Sequence, residues 1–436
     1  MRARLRSARC LALVFVLGGC GAGAENPPRS GPEGQGNGSG AVGSGGIPSG
    51  AGGAPSAGGT ASAVGATSNG TAGSSATAGS TGAAGSGGIE PFVAGQPPRA
   101  LAHFRRGINL GNRLESKPDE GAWGGRIEDG DLRLIAQRGF DHVRIPVWFS
   151  GHAGEAPPFA LDATFMARVD HVLDLAAAES LAVLLVLHGY YELEADVATH
   201  TPRLVGIWRQ LAERYQGRPE GLAFELFNEP PSSMRSTWNG LAAELIAVVR
   251  ETNPQRLLVV DSTSWADTTT LGSLALPNDA NIAVAVHPYE PKLFSFQRKT
   301  WGDPSWQTPG VVFPGPPAVP IVPHAAAQAN AAAALWFMQY NTLDSAQNPS
   351  GPRTVREQVA RVKAYRDTSG RAVMNTEWGP QDGGDLTSRA NLMRSMREEC
   401  EAAAIPWTIW EDPNNMQLFD SSTGQWQEPL LSALFE

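Results

Sequence analysis

Leu222-Ala223-Phe224-Glu225-Leu226-Phe227-Asn228-Glu229-Pro230 is the stretch whose reading decides the fold. It begins as an apolar run of strand length and ends abruptly in an amide, a carboxylate and a proline. Proline has no N–H to give to a sheet ladder, so the run stops there and leaves Asn228 and Glu229 at the rim. The design recurs far downstream in Ala372-Val373-Met374-Asn375-Thr376-Glu377-Trp378-Gly379, another apolar run that closes on a carboxylate. Either glutamate alone reads more simply as a loop or helix-start residue. Two of them, at the ends of two buried strands, make the acid pair that glycoside hydrolysis requires.

Outward from these runs, the region from residue 104 alternates strand-like and helix-like stretches. Strands are expected over 106–110, 142–147, 183–188, 222–228, 257–261, 282–287, 372–377 and 406–410. Most are near-continuous apolar runs, as parallel strands buried on both faces should be. Between them apolar residues recur at helical spacing, as with Phe165, Met166, Val169, Val172, Leu173 and Ala176 within 165–179. Stretches 204–215, 241–250, 354–365 and 386–403 behave similarly. The alternation predicts an α/β protein, a (β/α)8 TIM barrel. The connection between strands 6 and 7 is much longer than the others. It holds a Pro-rich stretch (309–323), an Ala-rich run (325–335) and Trp301, Trp306 and Trp336, and is expected to be an excursion over the barrel top.

The 436 residues are not uniform in composition. Residues 1–20 read as an export signal, with arginines at positions 2, 4, 6 and 9, an apolar run over 10–17 and then Gly18-Gly19-Cys20. That run is too short to stay in a bilayer as a spanning helix. Leu17-Gly18-Gly19-Cys20 resembles a bacterial lipoprotein signal, which implies lipidation at Cys20 and a place at the bacterial cell surface or outer membrane. An ordinary cleaved signal and a secreted protein are the alternative. Residues 21–88 are mostly Gly, Ser, Ala and Thr without an aromatic side chain, the composition of a flexible tether. Residues 89–436 remain for one catalytic domain. The formal charge of −9 becomes −13 once the four leader arginines are removed, which argues against nucleic acid and against a basic membrane-binding patch. Membrane contact is therefore expected only through the N-terminal lipid anchor, and a monomer is expected. Cys10, Cys20 and Cys400 cannot build a disulfide framework, and with no His-Glu-x-x-His or paired Cys/His spacing neither a metal nor a cofactor is expected.

In a barrel of this kind chemistry belongs at the carboxyl ends of the strands. The expected strands carry polar groups there: Arg144 inside the second, His188 on the third and Asn228-Glu229 on the fourth. His287-Pro288-Tyr289 follows on the sixth, Glu377 on the seventh and Trp410 on the eighth. One such residue is ordinarily a packing residue; six strands of eight are hard to explain that way. Here the chain resembles glycoside hydrolase family 5, the cellulase family A type, across 104–426. The resemblance is carried by Arg106-Gly107-Ile108-Asn109-Leu110-Gly111-Asn112, His142-Val143-Arg144-Ile145-Pro146, Phe224 through Pro230, His287-Pro288-Tyr289 and Thr376-Glu377-Trp378-Gly379. It implies Glu229 as acid/base and Glu377 as nucleophile, with Arg144, His188, Asn228, His287, Tyr289 and Trp410 completing the site.

Two departures stand out. Gly189 follows His188 where many relatives carry a second His, and Trp378 stands where Phe is frequent. Among the other aromatics, Trp123 and Trp301 are the candidate sugar platforms, while Trp208 and Trp238 lie in helix-like stretches and belong to the core. The chemistry makes definite demands. Retention of configuration needs the two carboxyl groups about 5–5.5 Å apart. Glu377 must be ionised, held so by Arg144 and the Tyr289 hydroxyl, and Glu229 must start protonated. The expected activity is a retaining endo-β-1,4-glucanase acting on a β-linked polysaccharide. A mannanase, a xyloglucanase or a mixed-linkage glucanase would use the same chemistry, and a non-catalytic glycan-binding surface lipoprotein is the reading from another class.

Overall fold

The structure, a computed structural model, describes residues 88–420 and 423–436. The expected leader, Cys20 and the tether up to residue 87 lie outside the described residues. Eight parallel strands close a barrel in sequence order: β1 Arg106–Asn109, β2 His142–Val147, β3 Ala182–Leu187, β4 Leu222–Glu225, β5 Leu258–Asp261, β6 Ile282–Val286, β7 Ala372–Trp378 and β8 Trp407–Ile409. β8 pairs back onto β1, so the expected (β/α)8 barrel is the observed one.

The helices Ala163–Ala178, Val197–Tyr215, Trp238–Arg250, Pro352–Ser369 and Leu386–Ala402 cover the outside. The second begins seven residues before the stretch read from the sequence, because the Asp196 carboxylate accepts the Thr199 N–H and caps it there. Trp208 and Trp238 are buried, and their indole N–H groups donate to the Leu226 and Asp261 carbonyls at 2.9 Å each. They fasten two helices to the strands beneath.

The strands read as unbroken apolar runs, yet their inward residues follow the period of two that any pleated strand imposes. The lower interior is a cluster of small and apolar side chains: Ala182, Leu184, Ala223, Leu257, Val259, Ala283, Ala285, Ala372 and Met374, floored by Phe104. One further inward step along the last four of these strands brings Glu225, Asp261, His287 and Thr376, all buried and joined by Arg144 from β2. The fold thus places a polar layer directly above an apolar one. Gly107 belongs to this arrangement for a steric reason. A Cβ there would lie 2.1 Å from the His142 ring, which crosses to Thr408 Oγ1 at 2.8 Å.

Regular pairing ends short of the sequence expectation on β4, at Glu225 rather than Asn228. Residues 226–228 still bond on both sides, Leu226 N–H to the Val259 carbonyl and Asn228 N–H to the Leu187 carbonyl. They do so as an irregular segment that turns toward Glu229. On β7 the register slips: Asn375 faces Trp407 but Trp378 faces Ile409, so three steps on β7 match two on β8. This bulge turns both Thr376 and Glu377 toward the barrel mouth, where a regular strand would send them to opposite faces.

The excursion between β6 and β7 carries its own structure, with helices Ala325–Ala329 and Ala331–Thr342. Gln297 exchanges two hydrogen bonds with the Val311 main chain, and the Tyr340 hydroxyl accepts the Val312 N–H. The side chain of Asn391, on the helix after β7, donates to the Phe313 carbonyl. These bonds hold residues 311–313 at the head of the proline stretch, while Val319 and Val322 further along it are exposed. Cys400 is a free, buried thiol within the last long helix. Among the described residues no helix is long and apolar enough to cross a membrane.

Candidate active site

Arg144 organises the polar layer. It is fully buried, and all five of its guanidinium N–H groups are used. Nε and Nη2 grip the two oxygens of Glu225 at 2.9 and 2.6 Å, and Nη2 also donates to Asn228 Oδ1 at 2.7 Å. Nη1 donates to Asn109 Oδ1 at 2.9 Å and to Glu377 Oε2 at 3.0 Å. Burial alone would favour a neutral guanidinium. The Glu225 charge and hydrogen bonds, followed by Glu377 and Asp261, outweigh it and hold Arg144 above its ordinary value.

Glu377 receives a second hydrogen bond from the Tyr289 hydroxyl, at 2.8 Å to Oε1. Both groups expected to hold this carboxylate do touch it. Even so, burial pushes Glu377 up; His287 pulls it back, Glu229 pushes it up again, and Arg144 and Tyr289 oppose. The net displacement is upward from the ordinary carboxylate value. Burial, then the Glu377 charge, likewise drive the Tyr289 phenol well above its usual range, so it stays a proton donor.

His287 stands between the two glutamates. Its Nδ1 lies 2.9 Å from Glu229 Oε1 and 3.8 Å from Glu377 Oε2, and Nε2 meets Thr376 Oγ1 at 3.0 Å. Burial disfavours its cation, but Glu377, Glu229 and Asp261 outweigh that and raise it to about 9. The imidazolium then donates from both nitrogens. One oxygen of Glu229, one oxygen of Glu377 and the His287 nitrogen all lie within 4.8 Å of one another. The nearer oxygens of the two carboxyl groups are thus no farther apart than the about 5–5.5 Å expected from the sequence. Compact acid–histidine clusters of this kind could suit a metal, but here Arg144 already lies within 3.0 Å of Glu225 and Glu377 and occupies the cationic position.

Glu229 reaches this place from a left-handed backbone, φ 53°. Its N–H donates to Asp261 Oδ2 at 2.8 Å. Asn228 turns its oxygen to Arg144, leaving Nδ2 on the side of His188 Nε2, 3.5 Å away. The His188 ring lies 6.3 Å from that of Trp410, tilted 31°. The Trp410 indole N–H is tied to Asp412 at 2.8 Å, and Gly111 leaves room for the ring: a Cβ there would come within 2.3 Å of it. Beside Gly189, at the departure from the second His, the Lys117 ammonium lies over the rings of Trp148 (4.6 Å) and Tyr191 (3.9 Å) and donates to the Gly189 carbonyl.

Eight of the residues singled out from sequence thus converge: Arg144, His188, Asn228, Glu229, His287, Tyr289, Glu377 and Trp410. Trp123 and Trp301 stand outside the hydrogen-bonded centre. The Trp123 carbonyl accepts Asn414 Nδ2 in the loop after β8. Trp301, 38% exposed, packs edge-on against Phe296, which in turn packs on Tyr289 at 4.8 Å. Sequence reading missed Asn109, Glu225, Asp261 and Thr376. Glu225 did carry a signal, as a charge inside an apolar strand that demands a buried cation. Thr376 carried none, because the bulge that turns its neighbour is a tertiary feature.

Comparison with known proteins agrees with this fold. The family described as Cellulase (glycosyl hydrolase family 5) matches residues 107–415. Endoglucanase H of Acetivibrio thermocellus is 30% identical over 198 residues, 45% of this chain. The chain spans only 22% of that relative's length and about half that of Endoglucanase 3 of Fibrobacter succinogenes. A solved endoglucanase structure superposes with a TM-score of 0.67 at 32% identity, covering 77% of this chain and 99% of its own. Thermotoga maritima Cel5A, solved in complex with mannotriose, gives 0.66 at 28% identity, covering 77% and 99%.

Proposed function

The chain belongs to the cellulase family, glycosyl hydrolase family 5, and from that premise we propose that it is a retaining endo-β-1,4-glucanase. The observation that carries the proposal is the approach of Glu229 and Glu377 to within 4.8 Å across His287, with Arg144 and Tyr289 both hydrogen-bonded to Glu377. In the first step a Glu377 oxygen attacks the anomeric carbon while Glu229 gives a proton to the departing glycosidic oxygen. His287 hydrogen-bonds Glu229 directly and is the neighbouring store for that proton. Once Glu377 is an ester its negative charge is gone, and Glu229 becomes a base toward water. Asn228 Nδ2, oriented by the bond from its oxygen to Arg144, serves the sugar 2-hydroxyl, and Trp410 offers a flat face to the ring.

The β-1,4-glucan preference draws support from the endoglucanase relatives. The mannotriose complex of the Thermotoga maritima protein makes β-mannan the second substrate to test. The sequence of residues 1–88 supports an export signal, lipidation of Cys20 and a tether holding the domain at the cell surface.

The test is a product-profiled assay of the purified protein on defined β-glucans and β-mannans, with the anomer of the first product read by NMR. We expect reducing ends from carboxymethyl cellulose, β-anomer first, and loss of activity in Glu377→Ala at unchanged Tm. An α-anomer first would refute the double displacement. A folded protein inert across the panel would leave the glycan-binding reading.

A further inference from the structure

The carboxylate that ends β5 has no role in the mechanism above. Asp261 is fully buried, and its Oδ2 accepts the Glu229 N–H at 2.8 Å. The other oxygen, Oδ1, has no hydrogen-bond partner among the described residues. Oxygens of Glu225 and Asp261 and a His287 nitrogen lie within 4.8 Å of one another. An orphaned oxygen beside a second buried carboxylate is a place for a proton. Burial first, and Glu225 next, push Asp261 well above its ordinary value, against the opposing effects of His287, Arg144 and the Glu229 N–H. The balance favours the protonated form of Asp261 over its ion, through burial above all.

What it holds is unusual backbone. A glutamate with φ 53° is in the left-handed region that a side chain with a Cβ seldom enters, and such residues persist only where their surroundings fix them. Two contacts fix this turn: Asp261 Oδ2 on the Glu229 N–H, and the Trp265 N–H on the Pro230 carbonyl at 3.2 Å. Asp261 is itself pinned, its carbonyl accepting the Trp238 indole N–H at 2.9 Å.

We propose that Asp261 is the positioning residue of the acid/base: by capturing the Glu229 N–H it fixes the left-handed turn that aims the Glu229 carboxyl across the groove at Glu377. This rests on the reading of Glu229 as the proton donor. Its consequence is selective. It shows in the first step: protonating a sugar leaving group depends on where Glu229 points, whereas a dinitrophenyl group departs without a proton, and the later hydrolysis of the Glu377 ester uses Glu229 as base for both substrates.

The experiment compares kcat/KM, which reports the first step, for β-glucan and for a dinitrophenyl β-cellobioside in wild type, Asp261→Ala and Asp261→Asn, with Tm and active-site titration by a 2-fluoro glycoside to count competent molecules. Asp261→Ala should lower kcat/KM on β-glucan at least tenfold more than on the activated glycoside. Asp261→Asn, which keeps an oxygen for the Glu229 N–H, should restore the β-glucan rate to within about threefold. Equal losses on both substrates, no loss on either, or an Asn variant as poor as the Ala variant would overturn the assignment. If Asp261→Ala does not fold, Asp261→Ser, which withdraws its polar atom from the Glu229 N–H, makes the same comparison. A wild-type protein inactive on both substrates would instead defeat the glucanase reading itself.

Discussion

Replacing Arg144 with Met separates what the guanidinium does for the fold from what it does for the chemistry. The methionine keeps much of the volume and deletes five hydrogen bonds, two of them the only side-chain bonds to Glu225 recorded among the described residues. Glu225 is then a fully buried carboxylate facing Asp261 without its cation. Breaking a buried pair from one side costs about 3–5 kcal/mol, most of it the uncompensated charge. A domain of about 350 residues unfolds with roughly 0.7 kcal/mol/K of entropy, so Tm should fall by about 4–7 °C. Thermal unfolding at pH 7 reads this directly. The double variant Arg144→Met/Glu225→Leu should regain at least half of that loss, since the stranded charge goes with Glu225, yet remain inactive because Glu377 and Asn228 have still lost Arg144. A single variant whose Tm stays within 1 °C of wild type, or a double variant no more stable than the single, would refute the view that Arg144 neutralises Glu225 before it serves Glu377.

Three further outcomes follow from the same geometry. Tyr289→Phe removes the 2.8 Å hydrogen bond to Glu377, one of the influences that lower its pKa. Such a bond to a charged group is worth about 1.5–3 kcal/mol, so the acidic limb of the kcat/KM profile should move up by roughly one to two pH units, measured on soluble β-glucan. Glu411 and Glu115 are raised by burial to about 8 and about 7 from 4.5. The folded state therefore binds protons more tightly than the unfolded chain, and stability must fall as pH rises between about 4.5 and 8. Glu411→Gln should flatten that fall by up to the order of 5 kcal/mol, seen as a smaller Tm difference between pH 5 and pH 8.5; an unchanged difference would contradict the burial argument. In Gly111→Ala the new Cβ meets the Trp410 ring at 2.3 Å and must displace it. Loss of about 1 kcal/mol of ring contact predicts a KM about fivefold higher with kcat less affected, measured on β-glucan.

Sequence patterns reached far into this protein, and they stop at an identifiable point. Each run of apolar residues identifies its own strand, because burial on both faces of a parallel sheet suppresses polar residues along its length. Each run's end names the residue that reaches the barrel mouth, so His188, Asn228, Glu229, His287, Tyr289, Glu377 and Trp410 are found without coordinates, and Arg144 is found as a charge inside its run. Trp208 and Trp238 were likewise legible as core residues from their place in amphipathic stretches. Trp123 and Trp301 show the weaker kind of inference, since a loop tryptophan's neighbours depend on how loops pack, and both stand apart from the hydrogen-bonded centre.

What the chain dictates by itself is the set of elements and which residues cap them, because strand period, proline and apolar patterning act over a few neighbours. Only closure of the barrel decides the rest. It sets the bulge that turns Thr376 and Glu377 to the same side, the left-handed turn at Glu229 and the capture of its N–H by Asp261 thirty-two residues away. It also brings Glu225, Asp261 and His287 into one buried layer around Arg144. Those features rest on contacts between residues remote in sequence, whose energies exist only once water has been excluded from the barrel interior and the charges have no other partners to choose.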